Sequence, residues 1–150
     1  MVVVHLVLGS AVVLLSLAAA LLGGWCWWRH TPHRVFWPLL RASQGALILQ
    51  VALGALLLVF GHRPANSLHF IYGLLPIPVV FAAEQLRVAS AEVVLESRGL
   101  HSAQEVGTLP EQDQRQIVLQ IVLREIVVMA LASLVVFALA ARAAMTSGAF

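Results

Sequence analysis

Residues 2–25 read VVVHLVLGSAVVLLSLAAALLGGW, an apolar run without a single charge. Whether this run is a secretory leader or a retained span decides the fold. A leader carries a basic stretch ahead of a shorter apolar segment, and this run has neither feature. It is long enough to cross the roughly 30 Å hydrocarbon core of a bilayer, which takes about 20 helical residues. The run therefore reads as a transmembrane helix.

The rest of the chain has the same character. Of its 150 residues 61% are hydrophobic and 11% charged, against about a quarter charged in soluble domains. Three more stretches are long and apolar enough to span, about 38–60, 67–86 and 117–141. The expected fold is an all-α integral membrane protein, with four transmembrane helices in an antiparallel up-down bundle forming one domain over 1–150. The chain has nine basic residues, all arginine, and they are scattered rather than gathered into the patch that nucleic acid requires. Nucleic acid is set aside as a partner. Cys26 stands alone, so one chain can form neither an internal disulfide nor a cysteine-based metal cluster.

Between spans two and three lies GHRPANS (61–67), where Pro64 blocks helix continuation and Asn66 or Ser67 can cap the next helix. So short a turn makes the two spans antiparallel neighbours. Arginine counting gives the orientation. Arg29, Arg34, Arg41, Arg87, Arg98 and Arg115 flank the connections on one side, Arg63 and Arg142 lie on the other, and both termini are expected outside. WCWW (25–28) with Trp37 suits an aromatic belt on the inner side. The polar connection 87–116 is expected to continue helix three to Gly99 and to restart at TLPEQDQ, with Thr108 as a cap. This helical connection offers a partner-facing surface and no catalytic constellation.

Two spans open on the same shape, HLVLG (5–9) and HFIYG (69–73). With the N-terminus outside, His5 and His69 fall at one depth below the outer surface. In a bundle that places spans one and three opposite each other, the two imidazoles could bind the iron of haem b from both sides. Gly9 and Gly73 lie one helical turn beyond each histidine, on the same face, and would leave room for the porphyrin. Ser10 keeps that side small, and Tyr72 offers a hydroxyl. Span two adds Gln50 and Gly54, again one turn apart. A lone amide at membrane depth points inward, because lipid gives it no partner, although ordinary small-residue packing is the simpler reading of Gln50 and Gly54 taken alone. Arg63 and His62 could receive haem propionates, with interfacial anchoring as the simpler role for Arg63. His62 is also the reserve ligand.

The order of a histidine near a helix start, Q-x-x-x-G in the next helix, a short loop and a second such histidine resembles one four-helix half of the haem A synthases. The resemblance covers roughly residues 1–85. It implies a bis-histidine haem near the outer side, a prokaryotic plasma membrane as location, and a half-length form that could pair as a homodimer. This chain departs from the family where its active half carries a glutamate three residues before the first histidine. That position is Val2, and the outer cysteine pair is missing. The departures favour electron transfer, or a subunit role in a membrane redox complex, over a half-length haem A synthase-like enzyme, and no catalytic residue is assigned.

Weaker candidates complete the reading. His30 and His33 fit an ordinary polar loop, and His101 fits a solvated one. Arg124 and Glu125 interrupt span four, where Glu125 could pair with Arg124, Arg87 or Arg41. Pro76 and Pro78 should kink helix three. A cofactor-free structural subunit or small transporter remains the alternative from a different class.

Overall fold

A computed structural model describes residues 1–64 and 66–146 of the chain. Ala65 of the GHRPANS turn and the terminal residues 147–150, including the C-terminus expected outside, lie beyond the described residues. Six helices follow in order: α1 (Val2–Arg29), α2 (Phe36–Val59), α3 (Leu68–Leu74), α4 (Pro76–Ser97), α5 (Ala103–Gly107) and α6 (Glu111–Thr146). No strand occurs among the described residues. Four helical segments are long and apolar enough to cross a membrane, α3 and α4 together making the third. The chain is an all-α membrane bundle.

The helices overrun the expected spans. α1 continues to Arg29, and α4 and α6 both extend past the span limits as a hairpin with α5 at its tip. Three helix ends share one device. At the end of α2, His62 N–H bonds to the Leu57 carbonyl and Gly61 N–H to that of Leu58, around Gly61 at φ +81°. The same crossed pair closes α4 around Gly99 at φ +69° and α1 around His30 at φ +51°. This closure requires a left-handed residue, which glycine adopts without strain. Gly61 therefore ends α2 ahead of Pro64, and His30 has a backbone role. Asn66 rather than Ser67 caps the next helix, its Oδ1 accepting from Leu68 N–H at 2.9 Å.

The third span is divided at Leu75, one residue before Pro76. Pro76 and Pro78 have no N–H to give the carbonyls four residues back, so the ladder is interrupted where the sequence places the prolines. Thr108 departs from expectation: its hydroxyl donates to the Glu105 carbonyl and finishes α5. Ser102 caps α5, its Oγ accepting from Glu105 N–H, and Glu105 Oε2 reaches back to accept from His101 N–H, one residue before the cap.

α6 is the central packing element. It lies along α1, α3 and α4, α1 also packs on α2, and α2 meets α4 at few points. Spans one and three are thus diagonal. A groove lined by Leu40, Leu47, Val80 and Val136 follows the open seam between α2, α4 and α6. Buried Cys26, Phe36, Leu40, Ala83, Ile126 and Met129 form one core cluster, and Val12, Leu47 and Val136 form a second. Large apolar side chains such as Leu14, Leu21, Ile48, Phe81 and Leu131 point outward, as lipid-facing positions must.

Helix association in lipid depends on close backbone approach, and Gly23 shows where it occurs. A β-carbon there would fall 2.5 Å from Ala130 Cβ and 2.7 Å from Phe36 Cε2. Gly23→Ala is expected to lower unfolding stability in mild detergent by about 1–3 kcal/mol through overpacking. Gly24→Ala, beside open space, should change it by less than about 0.5 kcal/mol.

Candidate functional site: a diagonal histidine pair

Two ideas about this end of the bundle can be tested against geometry: that His5 and His69 meet, and that glycines clear the space around them. α1 and α2 run antiparallel, and their register sets His5 against Gly54 and Gly9 against Gln50. A β-carbon on Gly54 would stand 3.2 Å from His5 Cε1, and one on Gly9 would stand 2.9 Å from Gln50 Nε2. Each helix thus seats its polar side chain in the gap left by the other's glycine. Gly9 and Gly54 lock two helices together, in place of the open passage expected beneath a ligand. Gly73 differs, with nothing within 4 Å of the position its β-carbon would take.

The lock holds His5 by one edge. Its Nε2 lies 3.2 Å from the Gln50 amide nitrogen, while His5 Nδ1 and Gln50 Oε1 are buried without a partner. An amide can turn either its oxygen or its nitrogen to the ring. If the proton is on Nε2, the turned amide oxygen accepts it and Nδ1 keeps a free lone pair. If the proton is on Nδ1, Nε2 accepts from the amide N–H and Nδ1–H is a buried donor without a partner; turning the amide passes that unsatisfied place to the amide N–H group, so each arrangement leaves one buried donor unpaired. The first arrangement leaves a nitrogen ready for an electrophile.

His69 is secured from the opposite direction. The short α3 lays it against α6, where its Nδ1 donates to the Ala143 carbonyl at 2.9 Å. That bond places the proton on Nδ1 and leaves Nε2 as a lone pair. The two rings meet across the diagonal with centroids 6.2 Å apart and planes at 60°. The structure therefore brings together His5, His69, Gln50, Gly9 and Gly54.

Other expected site residues stand apart. His62 and Arg63 are exposed in the turn after α2, without a side-chain hydrogen bond or ion pair among the described residues. Ser10 donates to the Leu6 carbonyl of its own helix. Tyr72 is covered by the Arg142 guanidinium, 5.9 Å above its ring. Arg142 adjoins Ala143, the partner of His69, so its place beside the pair is a tertiary outcome that sequence reasoning had reduced to sidedness. Among the described residues, no group of three or more His, Cys, Asp or Glu could hold a bare metal ion.

A second polar assembly lies toward the tryptophan end. Glu84 accepts from Arg41 at 2.5 Å, from Gln44 Nε2 at 2.9 Å and from Arg87 Nε at 2.9 Å. Arg87 also lies 3.7 Å from Glu125 and 5.8 Å above the Trp37 ring. Of the three partners open to Glu125, the fold selects Arg87; Arg124 is exposed on the outer face of α6. Trp25, Trp27 and Trp28 are exposed as a belt requires, whereas Trp37 is half-buried under Arg87. Sequence reasoning passed over Glu84. The signal available was its i,i+3 spacing to Arg87 at the end of an apolar run.

No family model, curated protein or solved structure matches this chain.

The Glu84 assembly spans the seam where α2 and α4 otherwise scarcely touch. Glu84→Ala removes the acceptor shared by two guanidiniums and is expected to lower stability by about 1–3 kcal/mol. Arg115→Ala breaks an ion pair whose side chains are both 78% exposed and should change it by less than about 0.5 kcal/mol. Thermal unfolding of both variants in one detergent checks the contrast.

Proposed function

We propose that this chain binds haem b between His5 and His69 and acts in electron transfer, alone or as a subunit of a membrane redox complex. The observation that carries the reading is the pair of half-buried imidazoles meeting across the bundle, each secured through one nitrogen and keeping the other without a protein partner. Metal-binding histidines characteristically donate their second ring nitrogen, as His69 does to the Ala143 carbonyl, which fixes tautomer and ring direction. The 6.2 Å ring separation suits two imidazoles sharing one ion, given metal–nitrogen bonds of about 2 Å. The space beside Gly73, where a β-carbon would meet nothing within 4 Å, leaves room next to His69.

In this reading His5 and His69 hold the iron, and Gln50 and the Ala143 carbonyl orient them. Arg63, His62 and Arg142 are exposed groups of the same end and would receive the acidic side chains. Bound there, haem supplies reversible one-electron chemistry. The apolar bundle around the pair limits access of water. The arginine excess at the tryptophan end supports an inner location for that end and an outer one for the histidines. A prokaryotic plasma membrane, a redox partner and a homodimer belong to the same proposal, and nucleic acid has no part in it. Val2 offers no carboxylate for oxidation of a haem methyl, which favours electron transfer over the synthase-like enzyme.

The test is an absorption spectrum, oxidised and dithionite-reduced, of protein expressed with ample haem. A sharp low-spin reduced spectrum is expected, lost or converted to high spin in His5→Ala and in His69→Ala, with only haem b in the extracted pigment. Modified haem would favour the enzyme. A colourless native protein would overturn the proposal and leave a structural subunit or small transporter.

A further inference from the structure

Among the side chains around the histidine pair, Gln50 is seated between a histidine ring and a glycine. Its amide fills the gap at Gly9, where a β-carbon would come within 2.9 Å, and lies 3.2 Å from His5 Nε2. His5 in turn fills the gap at Gly54. Neither side chain can leave its seat without opening a void in the α1–α2 contact, so the amide and the ring keep one mutual arrangement. The nitrogen left over on His5 is Nδ1, buried and unpartnered. On His69 the nitrogen left over is Nε2, because Nδ1 donates to Ala143.

We infer that Gln50 is the positioning residue of the pair: with its amide turned so that Oε1 faces the ring, it accepts from His5 Nε2–H and leaves Nδ1 as the nitrogen that would bind iron, Nε2 of His69 being the second. This role rests on the haem reading. A hydrogen bond from a ligating imidazole to an acceptor raises the basicity of the ligand and stabilises the ferric state. Gln50 therefore sets both the affinity for haem and the midpoint potential, although it touches no iron itself.

Gln50→Met keeps the length of the side chain and suits an apolar setting while removing the amide. Haem affinity should fall about ten- to a hundredfold, the midpoint potential should rise, and the low-spin electron paramagnetic resonance signal should broaden or shift as the ring loses its tether. Gln50→Glu keeps an acceptor against Nε2. It should restore affinity over the methionine variant and bring the potential below that of the native protein. Gly9→Ala disturbs the amide with both histidines intact and should move the potential in the same direction as Gln50→Met.

Native protein with haem, combined with unchanged affinity, potential and resonance signal in Gln50→Met, overturns the role of Gln50 and leaves the haem reading intact. A Gln50→Glu potential equal to the native one does the same, and decides the matter if the methionine variant fails to fold. Native protein that takes up no haem removes the haem reading and this role together.

Discussion

In hydrocarbon a buried polar side chain has no partner except another group of the same protein, and the bundle is organised around that constraint. Its polar groups are gathered at three levels. At the histidine end, His5 and Gln50 tie α1 to α2, and His69 ties α3 to the Ala143 carbonyl of α6. Midway, the Ser16 and Ser43 hydroxyls, both buried, meet at 2.9 Å across the α1–α2 contact. Toward the tryptophan end, Glu84 gathers Arg41, Gln44 and Arg87, and Arg87 reaches Glu125. The helices cannot slide past one another without separating several of these pairs at once.

These ties divide the work with packing. Where α1 and α6 approach closely, small residues such as Gly23 and Ala130 allow it, and dispersion between backbones suffices. Where α2 and α4 stand apart, the charged assembly holds them. The balance of two guanidiniums against two carboxylates leaves that assembly without net charge, a condition for placing ionic groups beside lipid. The divided third span belongs to the same scheme. By ending α3 at Leu74, the prolines make the segment carrying His69 a separate short helix lying on α6.

Much of this was legible in the chain itself. Apolar run length gave four spans, because helix rise and bilayer thickness are fixed. The HxxxG repeat and Gln50 marked the histidine end, because period and antiparallel order put those residues at matching depth. What the glycines do was not legible. Gly9 has the spacing of a cleared passage, yet it receives Gln50, as Gly54 in the expected packing role receives His5, and the choice depends on the register between two helices. Glu84 looked like the polar edge of a span, and its three partners come from two helices and a register that no local pattern encodes. Thr108 had the form of a cap for α6, but the intervening α5 takes its hydroxyl.

The sequence alone determined the class of the protein, the number and order of its spans, the turn at GHRPANS, the interruption at Pro76 and Pro78 and the stop at Gly99, because these follow from local chain stiffness and from transfer of side chains into lipid. Only the tertiary structure decided which polar groups meet. The diagonal contact of His5 with His69, the Ala143 carbonyl behind His69, the cover of Arg142 over Tyr72 and the selection of Arg87 by Glu125 all depend on how four helices rotate about their axes. Helix rotation is set by the sum of many weak packing contacts, and that sum exists only once the helices are together.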